Sequence, residues 1–164
     1  MGVARELHKS WGYSDAGHAR DKETSRGRSG YFFISVGEAI NWRSSMMELV
    51  TRSSCESEYV GLSEAGNEAV YLYQLQGEMQ IGKINVLLMG DNESLLKLAL
   101  NAVFHQMSKF IRITYHSLRD RVEEGLIELC KVDSGLKAGG MLTKNVGVGV
   151  LKVCKALVGM VASG

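Results

Sequence analysis

Between Cys55 and about Glu78 the residues Tyr59, Leu62, Ala65, Ala69, Leu72 and Leu75 recur every three or four positions. That is the period of a long amphipathic α-helix, and its apolar stripe must be buried against a second layer. Upstream the pattern changes. "YFFISV" at 31–36 is aromatic and β-branched, "GYSDA" at 12–16 is short and turn-bounded, and "AINWRSS" follows Gly37. All three read as strands, and adjacent strands joined by polar connections imply an antiparallel meander. Downstream, "INVLLMG" is a continuous apolar run ending at Asp91-Asn92, the pattern of a strand buried on both faces. A helix over about 94–100, a basic and aromatic, partly helical segment over 104–124, a strand in "LIELCKV" and a terminal helix complete the order. That order implies an α/β domain, a mixed sheet flanked by helices.

Its 164 residues suit one domain with a substantial core. We divide it into an N-terminal extension (1–11), a core (12–135) and a C-terminal turn and amphipathic helix of the same domain (136–164). With 45% hydrophobic and 23% charged residues the composition is that of a globular protein. The formal net charge of +1 neither demands nor excludes nucleic acid. Cys55, Cys130 and Cys154 are widely spaced and form no zinc pattern, so they are expected to be reduced, mostly buried thiols of an intracellular protein. The apolar C-terminal stretch is interrupted by Lys152 and Lys155, while Val150, Val153, Leu157 and Val161 keep helical spacing. It reads as an amphipathic helix rather than a membrane span. Proline is absent, where ordinary usage of about 5% predicts roughly eight.

The acidic residues carry the chemical signal. Glu56 and Glu58 are two apart, so on a helix they project about 200° from each other. Ser53 and Glu56 have the spacing of a capping box, in which the serine oxygen accepts from the N3 amide and the glutamate reaches back. Glu58 then faces away. On residue type alone it reads as a solvated helix glutamate, and Asp91 as an N-cap. The functional alternative has Asp15, Glu58 and Asp91 converging where strand ends meet a helix. Carboxylates so placed hold hard divalent cations such as magnesium, and two such ions can activate water against a phosphodiester.

The segments "GYSDA", "SGYFF", "INWRSS", "SSCESEYVGLSEAGNEAVYL", "GDNESLLKLALN", "NAVFHQMSKFIRITYHSLRD", "EEGLIELCKV" and "MLTK" followed by "LKVCKALVGM" occur in that order. Together, over residues 12 to 161, they resemble the ribonuclease H domain of the Pol polyprotein of copia-type LTR retrotransposons, especially those of plants. The resemblance implies an RNase H-like α/β fold with a five-stranded mixed sheet flanked by helices. It also implies a Mg²⁺- or Mn²⁺-dependent endonuclease that cuts the RNA strand of an RNA:DNA hybrid. The family's Asp-Glu-Asp-Asp set falls on Asp15, Glu58 and Asp91 as catalytic and metal-binding residues.

The fourth aspartate, expected before "MLTK", is replaced: positions 139 and 140 are Gly139 and Gly140. Asp133 lies seven residues earlier and would substitute only if the turn folded back. Other departures from the family wording are Gly17, Ser45, Met46, Phe110 and Arg112. Impaired hydrolysis is the expectation, and the rival is a non-catalytic nucleic-acid-binding remnant. Lys109, Arg112, Arg119 and Arg121, interleaved with Phe110 and Tyr115, read as phosphate contacts or as an ordinary charged helix face diluted by Glu123 and Glu124. His105 and His116 lack a partner at ligand spacing and read as surface or structural histidines.

Overall fold

A computed structural model describes residues 10–18, 23–80, 85–90, 109–132 and 138–160. In chain order these form β1 (Trp11–Gly17), β2 (Arg28–Ser35), β3 (Glu38–Met46), α1 (Ser54–Glu78), β4 (Val86–Gly90), α2 (Lys109–Glu123), β5 (Ile127–Lys131), a 3₁₀ turn (Ala138–Leu142) and α3 (Val148–Leu157). The extension before Ser10 and the helix expected at 94–100 lie outside the described residues. The five strands make one sheet in the order β3-β2-β1-β4-β5. β1 to β3 are the expected antiparallel meander, whereas β4 is parallel to β1 and β5 parallel to β4. The carboxyl ends of β1, β4 and β5 therefore share one edge of the sheet, the usual place for a site in α/β folds.

Alternation along β2 divides the core. Tyr31 and Phe33 enter a cluster with Tyr59, Leu62, Ala65, Leu72, Leu88, Leu118 and Ile127 beneath α1 and α2. Phe32 and Ile34 point to the other face and join Tyr13, Val132, Ala138 and Cys154, because successive strand side chains alternate. Tyr13 and Phe32, paired in register, stack with ring centroids 5.0 Å apart. The strand covered on both faces is thus β2. The sequence assigned that role to β4, where Val86 and Leu88 are fully buried but Leu87 and Met89 only partly so. The second face of β4 is covered less because the C-terminal elements pack chiefly on β1 and β2.

Helix α1 begins as its capping residues predict. Ser53 Oγ accepts from the Glu56 amide at 3.1 Å, and Glu56 Oε2 accepts from the Arg52 amide at 2.7 Å, one residue before the cap. The apolar stripe then lies flat on the sheet because small residues occupy the contact. A Cβ at Gly61 would stand 3.0 Å from Ala16 Cβ, and one at Gly66 2.7 Å from Leu118 Cδ1. Polar ties fix the register: Ser29 Oγ donates to Glu64 Oε2 at 2.6 Å, and Asn41 Nδ2 donates to Glu68 Oε1 at 2.6 Å.

The terminal helix forms, but it is shorter than the apolar pattern; of the expected stripe Leu157 packs inward, Val150 and Val153 do not, and Val161 lies outside the described residues. α3 buries Cys154 and packs Leu157 and Val158 into the second cluster, leaving Val150 and Val153 exposed. The anchor is set by the 3₁₀ turn, whose Ala138 carbonyl faces Cys154 Sγ at 3.8 Å. Cys55, Cys130 and Cys154 form no disulfide; Cys154 is buried as expected, whereas Cys55 and Cys130 are half-buried. Burial pushes the Cys154 thiol up, and burial together with the Glu58 and Glu56 charges does the same at Cys55. Among the described residues no helix is long and apolar enough to cross a membrane.

A Cβ at Gly12 would lie 2.6 Å from Cδ1 of the fully buried Phe33. Gly12→Ala is therefore expected to destabilise the fold by about 2 kcal/mol, the scale of an overpacked core. Ser53→Ala removes the cap and is expected to cost about 1 kcal/mol. Urea unfolding followed by circular dichroism measures both.

Candidate active site

Asp15 lies two residues before the end of β1, paired in register with Gly30 of β2. Its side chain is only 8% exposed. Two neighbours reach the same carboxylate oxygen: the Thr143 hydroxyl donates to Oδ2, and Lys144 Nζ stands 3.6 Å from it. Both come from the segment after the 3₁₀ turn, and the backbone explains why. The amides of Thr143 and Lys144 donate to the Gly140 carbonyl at 3.2 and 3.0 Å, curling the chain back over β1. Ser44 Oγ donates to the Leu142 carbonyl at 2.6 Å and ties the turn to β3.

The two glycines let the turn sit this close. A Cβ at Gly139 would be 3.0 Å from Asp15 Cβ and 3.1 Å from its backbone nitrogen. A Cβ at Gly140 would be 3.9 Å from Asp15 Oδ2, so a side chain at that position starts within reach of the carboxylate. It would also be 2.9 Å from Lys144 Cε, so the space is taken by the lysine stem. Tyr13, Ser14, Asp15, Met89, Val132 and the 3₁₀ turn line a small crevice here, at the shared carboxyl edge of β1, β4 and β5.

Glu58 is half-buried in the second turn of α1. It lies three residues before Gly61 and therefore on the same helix face, the face on which a Cβ at Gly61 would stand 3.0 Å from Ala16 Cβ and 3.5 Å from the Asp15 carbonyl oxygen. Glu56 makes the cap instead, so the two glutamates divide as their spacing predicts. Beside them His18 Nδ1 lies 3.0 Å from Thr51 Oγ1 and 3.1 Å from Ser57 Oγ, and the two hydroxyls also bond each other. With Ser57 and Thr51 buried, this polar knot joins the end of β1 to the start of α1.

Asp91 and Asp133 lie outside the described residues; Asp91 directly follows Gly90, the last residue of β4, and Asp133 directly follows Val132. The Val132 amide donates to the Gly90 carbonyl at 3.0 Å. His105 also falls outside, as do the side chains of Lys109 and Arg112, whose backbone belongs to α2. Arg119 Nε pairs with Glu123 Oε1 at 2.6 Å on the helix surface. Arg121 turns inward: its Nη1 is buried, has no hydrogen-bond partner among the described residues, and would lie 4.0 Å from a Cβ at Gly66. His116 is exposed on α2.

Among the described residues no group of three or more His, Cys, Asp or Glu side chains is placed to hold a metal ion. The donors around Asp15 also bear on the fit. One of its oxygens already accepts a hydroxyl and faces an ammonium, and the Lys144 stem fills the space next to Gly140. The described residues, as arranged, fit one resident lysine cation at Asp15 and do not fit a pair of divalent ions there. Thr143 and Lys144 were missed as site residues in the sequence, although they stand in "MLTK" directly after the two glycines.

No protein-family model matches the chain. It is 32% identical over 149 residues to the retrovirus-related Pol polyprotein from transposon TNT 1-94 of Nicotiana tabacum, covering 91% of this chain and 11% of that protein. It is 32% identical over 133 residues to the Pol polyprotein from transposon RE1 of Arabidopsis thaliana, covering 80% of this chain and 9% of that one. The chain thus spans about a tenth of the curated relatives it matches. Among solved structures it is similar to LC11-RNase H1, isolated from compost by a metagenomic approach, with a TM-score of 0.64 at 14% identity over 84% of this chain and 94% of that one. The same enzyme in complex with an RNA/DNA hybrid superposes with a TM-score of 0.59 at 14% identity, covering 82% of this chain and 94% of that one. With its five-stranded mixed sheet and these relatives, the chain is a homologue of the Pol polyproteins of plant copia-type retrotransposons and has the ribonuclease H fold.

Proposed function

We propose that the chain is a ribonuclease H-type domain that engages RNA:DNA hybrids and whose metal-dependent hydrolysis of the RNA strand is impaired. The observation that carries this reading is the direction of position 140. A side chain there would begin 3.9 Å from Asp15 Oδ2, and this chain has glycine. Homology to the Pol polyproteins and likeness to an enzyme solved with an RNA/DNA hybrid support the substrate class. Asp15, Glu58 and Asp91 are the assigned acidic residues. With the Lys144 ammonium moved off Asp15, these three carboxylates would hold Mg²⁺ or Mn²⁺, which would supply an activated water for the hydrolysis.

The chain's own groups have separable parts in this proposal. Asp15 is held in place by Thr143, which keeps its carboxylate oriented toward the crevice. The polar knot of His18, Thr51 and Ser57 fixes the start of α1, and so Glu58, relative to the end of β1. Lys109, Arg112, Arg119 and Arg121 on α2 are assigned to the hybrid backbone, where phosphate contacts give affinity without sequence preference. Arg119 is half-exposed beside its Glu123 partner, whereas Arg121, also half-buried, has its Nη1 turned inward and must first bring it out.

The Lys144 ammonium beside Asp15 favours a second reading, a domain that keeps hybrid binding and not the chemistry. A labelled RNA:DNA hybrid separates the two. Cleavage in Mg²⁺ or Mn²⁺ is expected to be at least about a hundredfold slower than in Gly140→Asp, the scale on which a misplaced catalytic group acts. Robust turnover by the unaltered chain, lost in Asp15→Asn, would overturn the claim of impairment. Binding that weakens steeply with salt, with no cleavage by either chain, selects the second reading.

A further inference from the structure

We propose that Lys144 is a built-in cation of the Asp15 crevice, admitted by Gly140, and that it keeps divalent ions off this carboxylate. The proposal deepens the functional reading above, since it rests on Asp15 belonging to the site. Its grounds are four. Asp15 is nearly buried, and a buried carboxylate needs a compensating charge or donors. The Lys144 ammonium supplies that charge at 3.6 Å from Oδ2. The lysine is directed there by its own backbone, whose amide donates to the Gly140 carbonyl. Finally, the stem passes through the volume that any side chain at 140 would occupy, with Cε 2.9 Å from a Cβ built there.

Glycine at 140 and lysine on Asp15 are therefore one arrangement. A divalent ion reaching Oδ2 meets a positive charge already in place, so its entry requires the lysine to leave. The lysine side chain is 32% exposed, so an exit to water is open. The obstacle is a competition, weakened by solvent screening, rather than a permanent block. Position 140 does not have a left-handed backbone, and alanine fits there without backbone strain once the flexible lysine end moves aside.

The test uses Mn²⁺ alone, with no hybrid, and reads binding by electron paramagnetic resonance and thermal unfolding with and without the ion. Lys144→Gln is expected to bind Mn²⁺ about tenfold more tightly than the unaltered chain, the scale of removing one partly screened charge. Gly140→Ala is expected to shift affinity in the same direction, because it displaces the lysine while adding no ligand. In EDTA, Lys144→Gln is expected to melt lower than the unaltered chain and to recover on adding Mn²⁺. Equal Mn²⁺ affinity in the unaltered chain, Lys144→Gln and Gly140→Ala would overturn the proposal. If Lys144→Gln does not fold, Gly140→Ala decides alone, with tighter binding supporting the proposal and unchanged binding overturning it. The two readings fail separately: Mn²⁺ responses as expected with no hybrid bound or cut by any variant would sink the nuclease reading and leave the lysine in place.

Discussion

Helix α1 lies against the sheet at a distance that only small side chains permit, and the position of Glu58 relative to the strand that bears Asp15 follows from that contact. Gly61 meets Ala16 at the end of β1, Ala65 and Ala69 are fully buried, and Gly66 meets Leu118 of α2. A larger residue at any of these points would lift the helix and carry Glu58 away from the strand that bears Asp15. Close packing gains dispersion contacts along the whole stripe. It also limits how far the helix can slide, because the pairs Ser29–Glu64 and Asn41–Glu68 must be made at the same time.

The glutamates of α1 show how one residue type takes several roles from its place on the helix. Glu56 closes the cap, Glu64 and Glu68 tie the helix to β2 and β3, and Glu58 lies on the face that crosses β1. Charge near the amino end also suits the helix dipole. Burial, joined by the Glu58 and Glu56 charges, holds the Cys55 thiol up. The direction in which Glu58 projects therefore depends on rotation about the helix axis, a property that spacing alone specifies.

That is why much of this fold was legible from the residues. The meander, the long helix, the mixed sheet and the division between Glu56 and Glu58 all follow from periods of two and 3.6 and from the Ser53–Glu56 spacing. What periodicity could not reveal depends on contacts between distant parts of the chain. The doubly covered strand proved to be β2, because the elements that cover its second face come from beyond residue 137. α3 turned Cys154 rather than Val150 and Val153 inward because the 3₁₀ turn decides which side of it meets the sheet. Thr143 and Lys144 had no visible link to Asp15 in the sequence, being 128 or more positions away.

That separation gives the Asp15 crevice a history within each molecule. The chain is made from its amino end, so Asp15 emerges long before the residues that close over it. At roughly 5–20 residues per second, the 128 positions to Thr143 correspond to roughly 6–25 seconds of synthesis. Throughout that interval the carboxylate has neither its hydroxyl donor nor its ammonium neighbour, and the sheet can assemble around a strand whose acidic residue is still open to ions in solution. Closure of the crevice thus follows the synthesis of every strand of the sheet.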